Sequence, residues 1–360
     1  MKVAITYNDN NQDLFSNGIG YNVILWYDFL ELCGFEPFFL IGKSNEELQE
    51  TTREHFDKKY KALVYNYDDL EELETLSYYN DIQIVFCIGV TDEILFKKFQ
   101  DDKKKLVYIM LGNKYIFDVQ HIIDSNFSSV GSMHTFDEVW ISPHFAYSKD
   151  YFELRYKTKV YVCPYIWEPW LINYHNTKDN MKALGDKIDV GIMEANINVC
   201  KTCLVPISVC ELNEKDINNV FVFSAHHLKN NLFLPRFMEN KDLKKNNKIS
   251  FEHRFKMSTI AKYCNTIVSC SENCELNYVY LECLYLGIPL IHNSSFLKEY
   301  GYYFPKLEIN KTLGVIDKIK KEFNKEEYIE KNKKILHKYS IYNKENQQWV
   351  KDKIYTIVKN

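Results

Sequence analysis

A single carboxylate interrupts a long apolar stretch near the end of the chain. Glu282 is the only charged residue between Leu276 and Ser295, in LNYVYLECLYLGIPLIHNSS. Asn277 predicts the N-cap of a helix over 278–286, and Gly287 predicts its end. Glu282 then lies roughly 8 Å from the helix start. That spacing suits a nucleoside diphosphate, whose phosphates would lie at the helix N-terminus while its ribose hydroxyls donate to the carboxylate.

A simpler interpretation of Glu282 is a solvated helix face. Glu275, Tyr278, Glu282 and Tyr285 fall on one helical stripe, and that stripe could simply face water. On this interpretation the carboxylate binds nothing.

A second polar cluster follows another predicted strand, in EANINVCKT (194–202). Glu194, Asn196 and Asn198 lie at the predicted start of a helix over 197–212, with Lys201 one turn in. Capping accounts for one asparagine. A lysine near a helix N-terminus opposes the helix dipole, so a bound anion would explain the whole group.

A third candidate lies in the loop after the first strand, which ends in SNGIG (16–20) before a helix. Gly18 and Gly20 would let a ligand approach the backbone at a helix N-terminus. A plain N-cap with flexible glycines is the alternative. The loop is not GxGxxG, and no acidic residue closes the second strand, so the pattern disfavours a dinucleotide site.

Two series of apolar strands and helices must position these residues. Continuous apolar strands alternate with helices, as in parallel sheets with both faces covered. The predicted strands are 2–6, 36–42, 81–89, 104–112, 137–143 and 159–166, then 188–193, 219–225, 249–253, 265–270 and 288–293. Further helices are predicted over 20–34, 228–239 and 254–263.

The second series of strands predicts a second domain. A Pro- and Gly-containing segment at 167–187 predicts a linker between an α/β domain over 1–168 and another over 185–325, with a closing helix at 340–360 that packs back on the first. We expect two Rossmann-like domains facing across a cleft, with ligands at the carboxyl ends of the strands.

Composition excludes several classes of function. Hydrophobic residues make up 46% of the 360 residues, which is enough for packed cores. The net charge of −4 and the short, mixed basic runs disfavour nucleic-acid binding. No secretory signal or membrane-spanning run is visible. The ten scattered cysteines suggest reduced core thiols in the cytoplasm, although CKTC (200–203) leaves a weak zinc alternative.

Several motifs, in order, resemble one family. Glu282 to Leu290, ECLYLGIPL, is similar to the nucleotide-binding segment of GT-B glycosyltransferases, usually Glu-Ala-Leu-x-x-Gly-x-Pro-Val. The whole chain resembles a group of bacterial GT-B-like proteins of unknown function. The shared segments are FSNGI (15–19), GNKY (112–115), DEVWISP (137–143), PYIWEP (164–169), MEANINVCKT (193–202), LNYVYLECLYLGIPLIHNS (276–294) and GYYFP (301–305).

The resemblance implies a nucleotide-sugar donor on the C-terminal domain and a glycan or other hydroxyl acceptor. Glu282 would bind the donor ribose and the turn at 276–278, including Tyr278, the diphosphate. Gly18 would face the transferred sugar. Many retaining members carry another Glu eight positions before the second, where this chain has Cys274.

The chemistry of sugar transfer assigns further residues. Lys201, Arg254 and the helix start at Asn277 could stabilise the diphosphate without a metal or other cofactor. No Asp-x-Asp occurs in the sequence.

The remaining candidates are histidines and their neighbours. His121 and His134 are candidate bases for an inverting reaction, although either could be structural. His292, followed by Asn293, could contact the donor or cap the next loop. An inactive nucleotide-sugar or glycan-binding module and a nucleotide-sugar epimerase are the rival functions, and peripheral membrane association is compatible with the sequence.

Overall fold

Short apolar strands alternate with helices along the chain and form two separate parallel sheets. The computed structural model describes residues 1–8, 18–43, 59–66, 70–88, 93–123 and 135–359. Unit 1 comprises Met1–Glu168 and Tyr339–Asn360, and unit 2 comprises Pro169–Lys338. The two sheets belong to different units, so each unit has its own core.

The described part of unit 1 contains a seven-stranded sheet in the order β3-β2-β1-β4-β5-β6-β7, with parallel pairing throughout. Its strands are β1 (Lys2–Asn8), β2 (Glu36–Lys43), β3 (Ala62–Asn66), β4 (Ile82–Ile88), β5 (Lys105–Met110), β6 (Glu138–Ile141) and β7 (Lys159–Val162). Its first helices are α1 (Gly18–Leu32), α2 (Glu72–Thr75), α3 (Glu93–Asp101), α4 (Lys114–Ile123) and α5 (Lys149–Tyr156). Central strand β4 is buried except at Gln83, as its continuous apolar sequence predicts.

Unit 2 contains a six-stranded parallel sheet in the order β10-β9-β8-β11-β12-β13. Its strands are β8 (Ile188–Ile192), β9 (Ile217–Val222), β10 (Ile249–Phe251), β11 (Thr266–Ser269), β12 (Leu290–His292) and β13 (Tyr302–Tyr303). Its helices are α6 (Trp170–Tyr174), α7 (Leu204–Leu212), α8 (Phe233–Met238), α9 (Asp242–Lys245), α10 (Met257–Tyr263), α11 (Tyr278–Leu286), α12 (Val315–Glu322) and α13 (Lys325–Tyr339). The strand order reverses between β8 and β11, which is where open α/β sheets bind ligands.

The last helix, α14 (Lys344–Lys359), belongs to unit 1. Trp349 packs edge-on against Trp140 of β6, with ring centroids 5.0 Å apart. Val350 and Ile354 are fully buried. The C-terminal segment therefore completes the core of the unit that holds the N-terminus.

Three local predictions differ from the structure. The edge strands β3 and β13 were not predicted. Each strand is short, and some or all of its residues are only half-buried. The predicted helix over 228–239 is instead a 3₁₀ turn at His226–Asn230 followed by α8. Asn231 separates them because its Oδ1 accepts the N–H groups of Phe233 and Leu234, at 2.8 and 3.1 Å, and so starts a new helix.

The third difference concerns the predicted helix over 197–212, which begins only at Leu204. The preceding residues form a loop in which Asn198 and Lys201 make an isolated antiparallel bridge. Asparagine side chains in this loop bond to nearby backbone groups, which favours a loop over a helix. Glu194, Asn196, Asn198 and Lys201 therefore do not lie at a helix N-terminus.

Two further observations bear on the predictions from composition. All ten cysteines are buried and free of disulfides. None of the helices in the described ranges combines the length and the apolar character that crossing a bilayer requires.

Candidate functional site

The candidate site lies at the carboxyl edge of the sheet of unit 2, where the strand order reverses. Glu194 follows β8, Ser269 ends β11, and α11 is the helix after β11. Adjacent parallel strands end at the same edge of the sheet, so the loops after β8, β11 and β12 lie side by side.

Helix α11 begins and ends as the sequence predicts. Asn277 is extended, and its Oδ1 accepts the N–H of Val279 at 3.3 Å. Gly287 ends the helix with a left-handed φ of 71°. The predicted N-cap and C-cap are thus confirmed, and the helix start is fixed at this edge of the sheet.

Glu282 is buried on α11 without a partner. The residue is 6% exposed, and no hydrogen-bond donor or cation in the described part of the chain contacts its carboxylate. Burial raises the pKa of Glu282 to about 7. Buried polar groups are nearly always hydrogen-bonded, so an unpaired carboxylate indicates a missing partner.

The alternative of a solvated helix stripe is wrong. Tyr278 and Glu282 are both buried, and Tyr285 donates a hydrogen bond to Asn173 Oδ1 at 2.9 Å. Helix α11 is largely buried, as expected for a crossover helix that packs on a central strand.

Two residues predicted to contact the donor form hydrogen bonds with nearby loop residues. His292 is fully buried; Nε2 lies 2.7 Å from the carbonyl of Tyr300, and Nδ1 accepts the N–H of Ser294 at 3.1 Å. Burial lowers the pKa of His292 to about 4, so the ring is neutral. Asn293 exchanges hydrogen bonds of 3.0 and 3.2 Å with the backbone of Ser271. These hydrogen bonds hold the loops after β11 and β12, and donor contact by His292 and Asn293 stays a prediction.

Glu194 and Asn196 also form hydrogen bonds with protein groups. Glu194 is 1% exposed and accepts hydrogen bonds from the end of β11. Asn196 has a left-handed φ of 54°; its Nδ2 donates to the carbonyl of Glu194 at 2.8 Å, and its Oδ1 accepts from the N–H of Cys203 at 2.8 Å. Protein groups thus occupy these side chains in the structure, and their assignment to donor binding stays a prediction.

A row of cationic and titratable residues crosses the loops after β8, β9 and β10. His226 and His253 stack with ring centroids 3.8 Å apart. His227 Nε2 lies 3.4 Å from the carbonyl of Asn196, beside Lys201. Lys201 and the exposed Arg254 make no ion pair with any residue in the described ranges. The fold brings these two predicted cations to the same edge of the sheet as α11.

Sequence analysis missed the stacked histidines of this row. His226 directly follows the predicted strand over 219–225, and His253 is the last residue of the predicted strand over 249–253, so their positions at strand ends were the available signal. Burial and the neighbouring His253 lower the pKa of His226.

The site residues predicted in unit 1 are Gly18, His121 and His134. Gly18 is exposed as the first residue of α1, and a Cβ there would meet no atom of the described residues within 4 Å. Its φ is not left-handed. His121 is half-buried in the last turn of α4. His134 and residues 9–17 of the polar loop lie outside the described residues.

Comparison with solved structures gives the fold. The chain is 11% identical to HepE from Anabaena in complex with UDP, with a TM-score of 0.58, over 99% of this chain and 100% of that one. It is 11% identical to an alpha-glucosyltransferase in complex with UDP and a 13-mer DNA, with a TM-score of 0.61, over 100% of both chains. It is 9% identical to the pneumococcal O-GlcNAc transferase GtfA in complex with UDP and GlcNAc, with a TM-score of 0.56, over 100% of this chain and 99% of that one. These similarities confirm the predicted GT-B fold of two Rossmann-like units.

Sequence comparisons give the family. Residues 1–354 match one family model, described as a protein of unknown function (DUF2827). A search against curated protein sequences finds no match.

Proposed function

The chain belongs to the DUF2827 family, and we propose that it is a glycosyltransferase that uses a nucleoside-diphosphate sugar. The observation that carries this proposal is Glu282, a buried carboxylate without a partner on a helix at the point of strand reversal. The similarity to glycosyltransferases solved with UDP supports the same ligand class.

A nucleoside diphosphate supplies what Glu282 lacks. The two ribose hydroxyls would donate to its two carboxylate oxygens, and these charge-assisted hydrogen bonds are worth about 1.5–3 kcal/mol each. The carboxylate must be ionised to accept both. Because the pKa of Glu282 is about 7 in the protein without ligand, donor binding shifts the group toward its charged form.

The diphosphate would lie at the start of α11. The helix dipole places partial positive charge at Asn277 and Tyr278, and Lys201 and Arg254 provide full charges from neighbouring loops. Together they would stabilise the charge that develops on the leaving group without a metal ion. We therefore propose a metal-independent reaction, in keeping with the absence of an Asp-x-Asp pair from the sequence.

Unit 1 would bind the acceptor, which we propose is a hydroxyl group of a glycan. Gly18, at the start of α1, would face the transferred sugar. His121 and His134 remain the candidate bases, and replacing the true base by alanine should lower transfer by roughly 10²–10⁴-fold. The buried free thiols favour a reducing compartment, so we place the activity in the cytoplasm.

Calorimetric titration of UDP and GDP into the protein tests donor binding. We expect one nucleotide to bind, with affinity at least about tenfold weaker in Glu282→Gln and Glu282→Ala. Glu326→Gln is the matched control, since Glu326 is an exposed helical carboxylate of the same unit. Unchanged affinity in both Glu282 variants would refute the assignment of this carboxylate.

Incubation with UDP- and GDP-sugars tests the reaction class. Release of free nucleotide supports a transferase. Interconversion of the sugar with an intact diphosphate would instead identify an epimerase, and binding without turnover would identify a catalytically inactive binding module.

A further inference from the structure

The carboxyl group of Glu194 is buried and binds no ligand in the arrangement described above. It lies where the strand order reverses, immediately beyond β8, and is 1% exposed. We propose that Glu194 is a positioning residue that holds the start of α11 in the orientation required for donor binding, an inference that rests on the proposed function.

The first link joins the ends of β8 and β11. Oε1 of Glu194 accepts the N–H of Cys270 at 3.1 Å and the hydroxyl of Ser269. Oε2 lies 3.5 Å from Oγ of Ser271. Three consecutive residues at the end of β11 are thus directed at one carboxylate.

The second link joins β11 to α11. Oγ of Ser269 lies 3.2 Å from the hydroxyl oxygen of Tyr280. A serine hydroxyl has one hydrogen, which here goes to Glu194, so Tyr280 donates to Ser269. Tyr280 is fully buried in the first turn of α11. The charge on Glu194 therefore fixes the direction of both hydroxyl groups.

Tyr280 and Glu282 occupy different sides of α11. Two residues correspond to roughly 200° around the helix, so anchoring Tyr280 inward turns Glu282 away from the anchor. The backbone pairing of Ser271 with Asn293 extends the same network to the end of β12. Rotation or fraying of the first turn would move both the helix start and Glu282.

Stability alone does not explain a carboxylate at this position. Burial raises the pKa of Glu194, and hydrogen bonds from Ser269, Cys270 and Ser271 oppose this shift. Apolar replacements of buried charged groups are often neutral or stabilising. The carboxylate instead fixes the orientation of the groups around it, because it accepts hydrogen bonds from several donors in one geometry.

The test combines UDP titration with hydrogen exchange of the full-length protein, in Glu194→Ala, Glu194→Gln and Tyr280→Phe. We expect UDP affinity to fall on the order of tenfold in Glu194→Ala and about fivefold in Tyr280→Phe. Amides at the start of α11 should exchange faster in both. Glu194→Gln should recover most of the affinity, since its amide oxygen still accepts from Cys270 and Ser269.

Tyr328→Phe on α13 is the matched control, because it removes another buried hydroxyl of unit 2 and should change neither measurement. The inference would be overturned if Tyr280→Phe bound UDP as tightly as the wild type. It would also be overturned if Tyr328→Phe lost as much UDP affinity as Tyr280→Phe. If the wild-type protein binds neither UDP nor GDP, the proposed function fails. Unchanged exchange at α11 in Glu194→Ala and Tyr280→Phe would overturn the positioning role on its own.

Discussion

Replacing Glu282 by glutamine should stabilise the protein without ligand while weakening donor binding. The carboxyl is buried without a partner, and its pKa rises from the usual 4.5 to about 7 on folding. The folded state therefore binds this proton more tightly than the unfolded chain does. The free energy of unfolding must fall as pH rises from about 4.5 to about 7, and then level off.

The size of the effect follows from the two pKa values. Each unit of pKa difference corresponds to about 1.4 kcal/mol, so ionised Glu282 lowers the free energy of unfolding by about 3 kcal/mol above pH 7. At about pH 5 most of this penalty is absent, because the folded carboxyl keeps its proton. Glu282→Gln has no titrating carboxyl at this position. The excess of its free energy of unfolding over that of the wild type should therefore grow by about 2.5 kcal/mol from about pH 5 to about pH 8.

Thermal or denaturant unfolding at several pH values measures this difference. All other titrating groups are common to both proteins, so their contributions cancel in the comparison. For a unit of this size, about 2.5 kcal/mol corresponds to roughly 5–10 °C in Tm. In UDP titrations of the same samples the order of the two proteins should be reversed, because the wild type should bind UDP more tightly than Glu282→Gln at high pH.

Two results would refute this reasoning. Parallel stability–pH curves for the two proteins would mean that the carboxylate is solvated or paired. A ratio of wild-type to variant UDP affinity that does not increase with pH through about 7 would mean that the ionised carboxylate does not meet the ligand.

Three further predictions concern α11 and the metal requirement. Asn277→Ala should lower the free energy of unfolding by about 1 kcal/mol through loss of the N-cap bond to Val279, as measured by denaturant titration. Gly287→Ala should destabilise the protein more than Gly314→Ala. Both glycines have left-handed φ, but a Cβ at Gly287 would lie 2.9 Å from the side chain of Ile329, whereas a Cβ at Gly314 would meet nothing within 4 Å. Equal decreases in Tm for the two variants would contradict this. Release of nucleotide from the donor should survive EDTA, and loss of activity with rescue by Mn²⁺ would contradict the metal-independent mechanism.

The sequence by itself determined the local features of the site. Asn277 and Gly287 marked the ends of α11, because capping and left-handed backbone are properties of single residues and their neighbours. Mostly apolar runs marked the central strands of both sheets, because burial on both faces leaves few polar positions, such as Gln83 in β4 and Asp189 in β8. The order of the strand and motif segments along the chain was sufficient to predict the GT-B fold.

Only the tertiary structure decided which polar residues have partners. Glu194 and His292 were predicted as ligand contacts after their strands; in the structure Glu194 accepts a hydrogen bond from Cys270 at the end of β11, and His292 bonds to the carbonyl of Tyr300 in the following loop. Glu282 was also consistent with a solvated stripe, and packing around α11 buried most of the residue without giving it a partner among the described residues. The pairing of His226 with His253 likewise depends on the adjacency of β9 and β10. A side chain's partners are set by which strands lie side by side, and sequence spacing does not encode that adjacency.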